Sequence, residues 1–274
     1  MHRIHRIAAL GALLALCSAI MPPANAWPST ANGLASPASA SETPTALPSM
    51  TAYTEEWPPY NYLVHGQVTG LSTEILKAVC TEAGVVCNFQ LVPWVRAYKA
   101  AQHTANTLVY TTVRRPDREN EFIWIGPVLP RSTWIFVRAD LPAVPDRISH
   151  DLSGLRFAVV RGAADQADLL AAGVAEQNLA IEATNESALR MVLRGFADAL
   201  VDTELGMRWN LKLMHVPPER LVPLFKLSDD GAYYFALNKQ SDPRLAAQLQ
   251  AALDRLRKAG VIDKLCREFQ APAP

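Results

Sequence analysis

The chain has 274 residues, half of them hydrophobic, and its 26 Lys and Arg are matched by 26 Asp and Glu. That length and apolar content suit one or two domains with a well-buried core. A balanced charge argues against nucleic-acid binding, which draws on a basic surface.

The N-terminus reads as an export signal. Arg3 and Arg6 precede an apolar run over 7–20, and Ala24-Asn25-Ala26 supplies a small-x-small cleavage pattern. Residues 1–26 are therefore expected to be a signal peptide cleaved after Ala26, delivering the mature chain to the periplasm. Its removal takes two arginines and leaves 24 basic residues against 26 acidic. The run is too short for an ordinary spanning helix, and no later segment reaches the ~20 apolar residues needed, so no stable membrane insertion is expected. Residues 27–49 are mostly Ser, Thr, Ala and Pro, a composition with little to bury, and are expected to form a flexible tether.

From Met50 strand and helix signals alternate. Residues 50–53 read as a strand, followed by the loop Glu55-Glu56-Trp57-Pro58-Pro59-Tyr60. An amphipathic helix over 72–82 is flanked by Leu71, carries Ile75, Leu76 and Val79 at helical spacing, and is stopped by Gly84. A strand over 85–92, a helix over 94–102 after Pro93 and a buried strand over 108–113 follow. The pattern restarts with strands at 134–137 and 156–160, separated by a connector at 146–154. Helix 165–172, strand 180–183, helix 186–194, strands 198–202 and 233–237, and closing helices at 243–259 and 263–269 complete the chain. Such alternation predicts βαβ units and a mostly parallel sheet. The two small α/β domains are placed at 50–130 plus 241–270 and at 131–240.

Two of these strands deliver charge at their C-terminal ends, where ligands gather in open α/β sheets. Thr111-Thr112-Val113 runs into Arg114, Arg115 and Arg118, and strand 198–202 ends on Asp202. A guanidinium grips a carboxylate with two parallel hydrogen bonds. Arg118 from one half and Asp202 from the other would present opposite charges to one small molecule, and a zwitterion fits that pair. Thr111 and Thr112 offer hydroxyls, and Arg114 flanks the same turn. The competing reading of this stretch is a solvated basic turn.

Cys80 and Cys87 stand on either side of Ala83-Gly84, spaced to bridge a helix end to the next strand or to lie as two buried thiols. An exported chain permits the bond. The histidines outside the leader, His65, His103, His150 and His215, lack metal-ligand spacing, so no metal is expected and no cofactor is invoked. No nucleophile-and-base motif, phosphate loop or dinucleotide fingerprint is present. The chain is not expected to be an enzyme.

The segments WPPY at 57–60, GQVTGLSTEILKAV at 66–79, PWVRAY at 93–98, RRPDRENEFIWIGP at 114–127, GLRFAVVRGA at 154–163, GFADALVD at 195–202 and RLRKAGVIDKLCREF at 255–269 carry a resemblance. In order and spacing the chain resembles the family 3 periplasmic solute-binding proteins, receptors of ATP-driven amino-acid importers. The resemblance implies a two-lobed type II binding-protein fold that closes on its ligand by hinge motion, a monomer that hands a small polar ligand to an ABC transporter permease. It implies that Arg118 holds the ligand α-carboxylate, Asp202 meets the α-ammonium, and Trp94 packs on the ligand. Trp57 and Tyr60 supply a further aromatic wall, and Gly162-Ala163 a loop whose amides reach the carboxylate. Two departures stand out. Ala163 and Ala164 replace hydroxyl residues, and Arg115 replaces a threonine, which implies a more basic site that a dicarboxylate or other anion would use. The same fold also houses cyclohexadienyl dehydratase-like enzymes, for which Glu204 is the nearest candidate acid, and sensor or accessory binding modules.

Overall fold

The computed structural model describes residues 48–141, 152–229 and 231–270. The expected signal peptide, the tether up to residue 47 and the connector over 146–151 lie outside the described residues. The rest forms two five-stranded sheets, each with its own helices.

The first sheet takes β1 (Ser49–Thr54), β4 (Val86–Leu91), β5 (Thr107–Val113), β6 (Phe122–Pro130) and β12 (Ala232–Asn238), in the order β4-β1-β5-β12-β6. A small hairpin, β2 (Tyr62–Val64) and β3 (Gln67–Thr69), precedes its first helix. β5 is buried along nearly its whole length because both its faces are covered. On one side Leu108 and Tyr110 pack on the apolar stripes of α1 (Leu71–Ala83) and α6 (Pro243–Lys258); on the other Val109 meets Trp94, Ala97 and Ala101 of α2 (Trp94–His103). α1 ends on Gly84 at φ 66°, a left-handed position that suits glycine. The Cys80–Cys87 disulfide then ties the helix to β4. Closing a loop this short contributes roughly 2–3 kcal/mol through unfolded-chain entropy. α7 (Val261–Gln270) adds Ile262 to the same core.

The second sheet has the order β11-β7-β10-β8-β9, built from β7 (Thr133–Arg138), β8 (Phe157–Val160), β9 (Leu179–Glu182), β10 (Ala199–Asp202) and β11 (Leu221–Ser228). Its helices are α3 (Ala164–Ala171), α4 (Asn185–Leu193) and α5 (Glu204–Leu213). Separate apolar clusters fill its two faces, one around Phe157 and Leu169, the other around Leu189, Val192 and Leu211.

The structure corrects the sequence reading in three places. The sheets are mixed rather than mostly parallel: β12 runs antiparallel to β5 and β6, and β7 antiparallel to β10 and β11. β12 belongs to the first sheet, so residues 232–238 return to the first lobe before the expected boundary at 240. Finally, β6 runs through Pro127 and β11 carries Pro223, two strands that the sequence-based element order lacks. Both lie at sheet edges, where a missing N–H costs no ladder bond. The bulge in β6 also needs Gly126: at φ 148°, a Cβ there would stand 2.6 Å from the Tyr234 ring.

The chain passes between lobes twice, through 131–132 and between β11 and β12. The two passages touch, since the Arg131 N–H donates to the Gly231 carbonyl at 3.2 Å.

Candidate functional site

The carboxyl ends of β1, β5 and β8 meet where the lobes face each other and line a partly open cavity of about 40 Å³. That is room for about three waters. The first lobe contributes Glu55, Trp57, Trp94, Thr111, Arg118 and Tyr233, and Arg131 reaches in from the crossing. Ala163, Ala164, Asp165 and Asn185 come from the second lobe.

Arg118 is placed by the turn after β5, where its N–H bonds the Arg115 carbonyl and its own carbonyl takes the Glu121 N–H. Its guanidinium lies 5.6 Å from the Trp94 ring centre and 5.1 Å from that of Tyr98. Glu121 fixes Tyr98 through its hydroxyl and accepts from Gln102 at 2.8 Å. Arg118 Nη2 donates across the cleft to the Gly162 carbonyl at 2.9 Å. Trp94 Nε1 donates to the same oxygen at 2.9 Å. Arg118 Nη1 is buried and has no hydrogen-bond partner among the described residues. Burial lowers the guanidinium pKa, and an arginine stays charged even so.

Thr111 sits in the bulge that β5 makes against β12, at φ 59°. A β-branched residue there is strained by on the order of 1–3 kcal/mol. Its hydroxyl donates to Asn61 Oδ1 at 2.6 Å, which holds it in place at the cavity wall. Thr112 is fully buried, bonds the Val109 carbonyl and does not line the cavity.

The other two arginines are spent elsewhere. Arg114 pairs with Glu119 on the surface and lies over Trp124 and Tyr234. Arg115 pairs with Asp117 and, across the cleft, with Asp168 of α3. The expected surplus of positive charge is therefore absent. Arg131, only 5 % exposed, holds Asp165 at 2.8 Å and Asp168 at 2.5 Å. The charged groups of the cavity wall are two acids, Glu55 and Asp165, and two guanidiniums, Arg118 and Arg131.

Asp202 does not line this cavity. Its Oδ1 accepts from its neighbour's Thr203 N–H at 2.7 Å and, across the cleft, from Trp57 Nε1 at 3.2 Å. The carboxyl lies back over the start of α5, where a Cβ on Gly206 would stand 2.5 Å from Oδ1. Burial pushes its pKa up to about 7 despite these donors. Tyr60 likewise serves as a strut between lobes, donating to Thr203 Oγ1 at 3.0 Å. Of the residues singled out from sequence, Arg118, Trp94, Trp57, Thr111 and Ala163 converge on the cavity and Gly162 adjoins it. Glu204 is exposed and lines a separate groove beside the lobe crossing, with Cys266.

Sequence reading assigned no role to Glu55, Arg131, Asp165 or Asn185. Glu55 opens the loop after β1, and the one hint was its place at a strand end, two residues before Trp57. Its Oε2 accepts from Asn185 Nδ2 of the second lobe at 3.3 Å. Burial, with Asp165 nearby, pushes its pKa up to about 8; the Asn185 bond and Arg118 oppose this.

Two α/β lobes joined by two crossings, with a polar cavity at their seam, define a type II periplasmic binding-protein fold. The chain belongs to the bacterial extracellular solute-binding proteins, family 3, whose model matches residues 50–271. It is 24 % identical over 219 residues to the probable amino-acid-binding protein YxeM of Bacillus subtilis (strain 168), covering 77 % of this chain and 79 % of that one. Among solved structures, a histidine kinase sensor domain with similarity to periplasmic binding proteins superposes with TM-score 0.73 at 21 % identity, over 81 % of this chain and 96 % of that one. The arginine-, lysine-, histidine-binding protein ArtJ from Geobacillus stearothermophilus gives 0.70 at 18 % identity, over 82 % and 96 %. No helix among the described residues is long and apolar enough to cross a membrane.

Proposed function

We propose that this chain is an exported receptor that captures a small zwitterionic solute, an amino acid foremost, and presents it to an ABC importer without chemical change. The observation that carries the reading is Arg118: a guanidinium buried between two rings, with one nitrogen left without a partner at the cavity wall. A buried donor without an acceptor costs ~1–3 kcal/mol, and a ligand carboxylate removes that cost with a charge-assisted bond. With Glu55 ionised, as a cationic ligand group would make it, the wall is balanced and favours a ligand that is itself neutral overall, because a dianion would leave two negative charges uncompensated in a desolvated site. The kinship with proteins named for amino-acid binding points the same way.

A cavity of 40 Å³ is too small for such a solute, so entry requires the lobes to part about the two crossings and close again. Closure would remove water from the charges and strengthen their attraction to the ligand. The mature chain acts as a periplasmic monomer in this reading. A thermal-shift screen of the twenty common L-amino acids against succinate and glutarate tests it. At least one amino acid is expected to raise the melting temperature; a response to the dicarboxylates alone would overturn the zwitterion assignment.

A further inference from the structure

We propose that Glu55, and not Asp202, receives the cationic end of the captured solute; this rests on the capture reading given above. The cleft offers several acids, and their existing partners separate them. Asp165 and Asp168 are held by Arg131, and Asp168 also by Arg115. Asp202 is turned onto the start of α5 and takes the Thr203 and Trp57 N–H groups; it lines a smaller adjoining cavity with Asp165 and Asn185, not the one that holds Arg118. Glu55 does line it, beside Arg118, and has no cationic partner within ion-pair distance among the described residues. Its carboxylate has one long hydrogen bond, to the neutral amide of Asn185.

An acid in that position carries a desolvation cost that Asn185 and the more distant Arg118 offset only in part, with no ion pair to complete it. An ammonium or other cationic group of the ligand offsets it, while the ligand carboxylate satisfies Arg118. The charged groups facing Glu55 are Asp165 on α3, which disfavours its ionised form, and Arg118 on the loop after β5, which favours it; Asn185 on α4 adds a neutral donor. The Asn185 bond also joins the two lobes, so Glu55 sits at the closing seam and feels both ligand and closure.

The test is calorimetry on the full mature chain with the L-amino acid that shifts the parent most strongly in the screen. Glu55→Gln is expected to weaken binding by roughly 30-fold or more, the lower end of the range for removing one partner of a buried charge pair. Titration in two buffers of different ionisation enthalpy at pH 7 is expected to show proton release on binding by the parent and less by Glu55→Gln, a readout that a purely structural role would not give. The variant removes a poorly solvated acid, so its melting temperature without ligand at pH 8 is expected to equal or exceed the parent's. Unchanged affinity and proton release in Glu55→Gln overturn the proposal while leaving amino-acid capture intact. A loss in Asp202→Asn without one in Glu55→Gln returns the role to Asp202. If no amino acid shifts the parent, the capture reading itself fails, and the assignment of Glu55 with it.

Discussion

The two walls of the cleft differ in how their charges are met. On the first lobe Arg118 keeps a nitrogen without a partner and Glu55 lacks a cation. On the second lobe Asp165, Asp168 and Asp202 are all held by groups of the protein itself. A charge already satisfied inside the fold holds the lobes together; a charge left over is free to recognise something else. The same division runs through one turn of sequence, where Arg114 and Arg115 are satisfied and Arg118 is not.

The sharpest way to break this contrast is to remove the leftover cation. Arg118→Ala is expected to weaken the best amino acid by about 100-fold or more, measured by calorimetry. Asp168→Ala should act in the opposite sense. It leaves Arg115 without its partner across the cleft and weakens the hold on Arg131, which is expected to lower stability by about 1–3 kcal/mol and open the lobes. Denaturant melts and small-angle scattering would show both, and an unchanged radius of gyration would count against the latch.

A smaller effect follows from pH. Glu55, near 8, and Asp202, near 7, stand well above the ordinary carboxylate values of 4.5 and 3.8. Raised values mean that folding holds the protons more tightly than the unfolded chain does. The stability they contribute is therefore present in full below about pH 4 and is lost as pH rises through 7 to 8. Melting temperatures between pH 6 and pH 9 should fall less in Glu55→Gln than in the parent, and equal slopes would contradict the assignment. The least effect belongs to Arg114→Ala, expected within about 0.5 kcal/mol of the parent and with unaltered ligand affinity, since its ion pair with Glu119 is at the surface.

Much of the fold was legible because its central strands are short apolar runs ended by turn residues. Strands such as 108–113 and 198–202 needed no partner to be recognised. The edge strands β6 and β11 went unrecognised; each carries a proline, which a strand tolerates at a sheet edge and which cannot be told from a loop proline along the chain. Of the site, Arg118 and Thr111 were legible as groups at or just past a strand end, and Trp94 and Trp57 through the family resemblance. What sequence concealed was pairing. The Arg115–Asp168 contact joins residues 53 apart, and Glu55 meets Asn185 at a separation of 130. Neither the neutralising of Arg115 nor the isolation of Glu55 can be seen along the chain, so three neighbouring arginines looked like one basic patch.

The most direct measurement compares the best-binding L-amino acid with the carboxylic acid that lacks only its amino group, by calorimetry on the mature chain at pH 7. If one free guanidinium and one free carboxylate define the cleft, losing the ammonium should weaken binding by at least about 10-fold. Equal or tighter binding of the deaminated acid would contradict a zwitterion site and identify the cleft as one for anions.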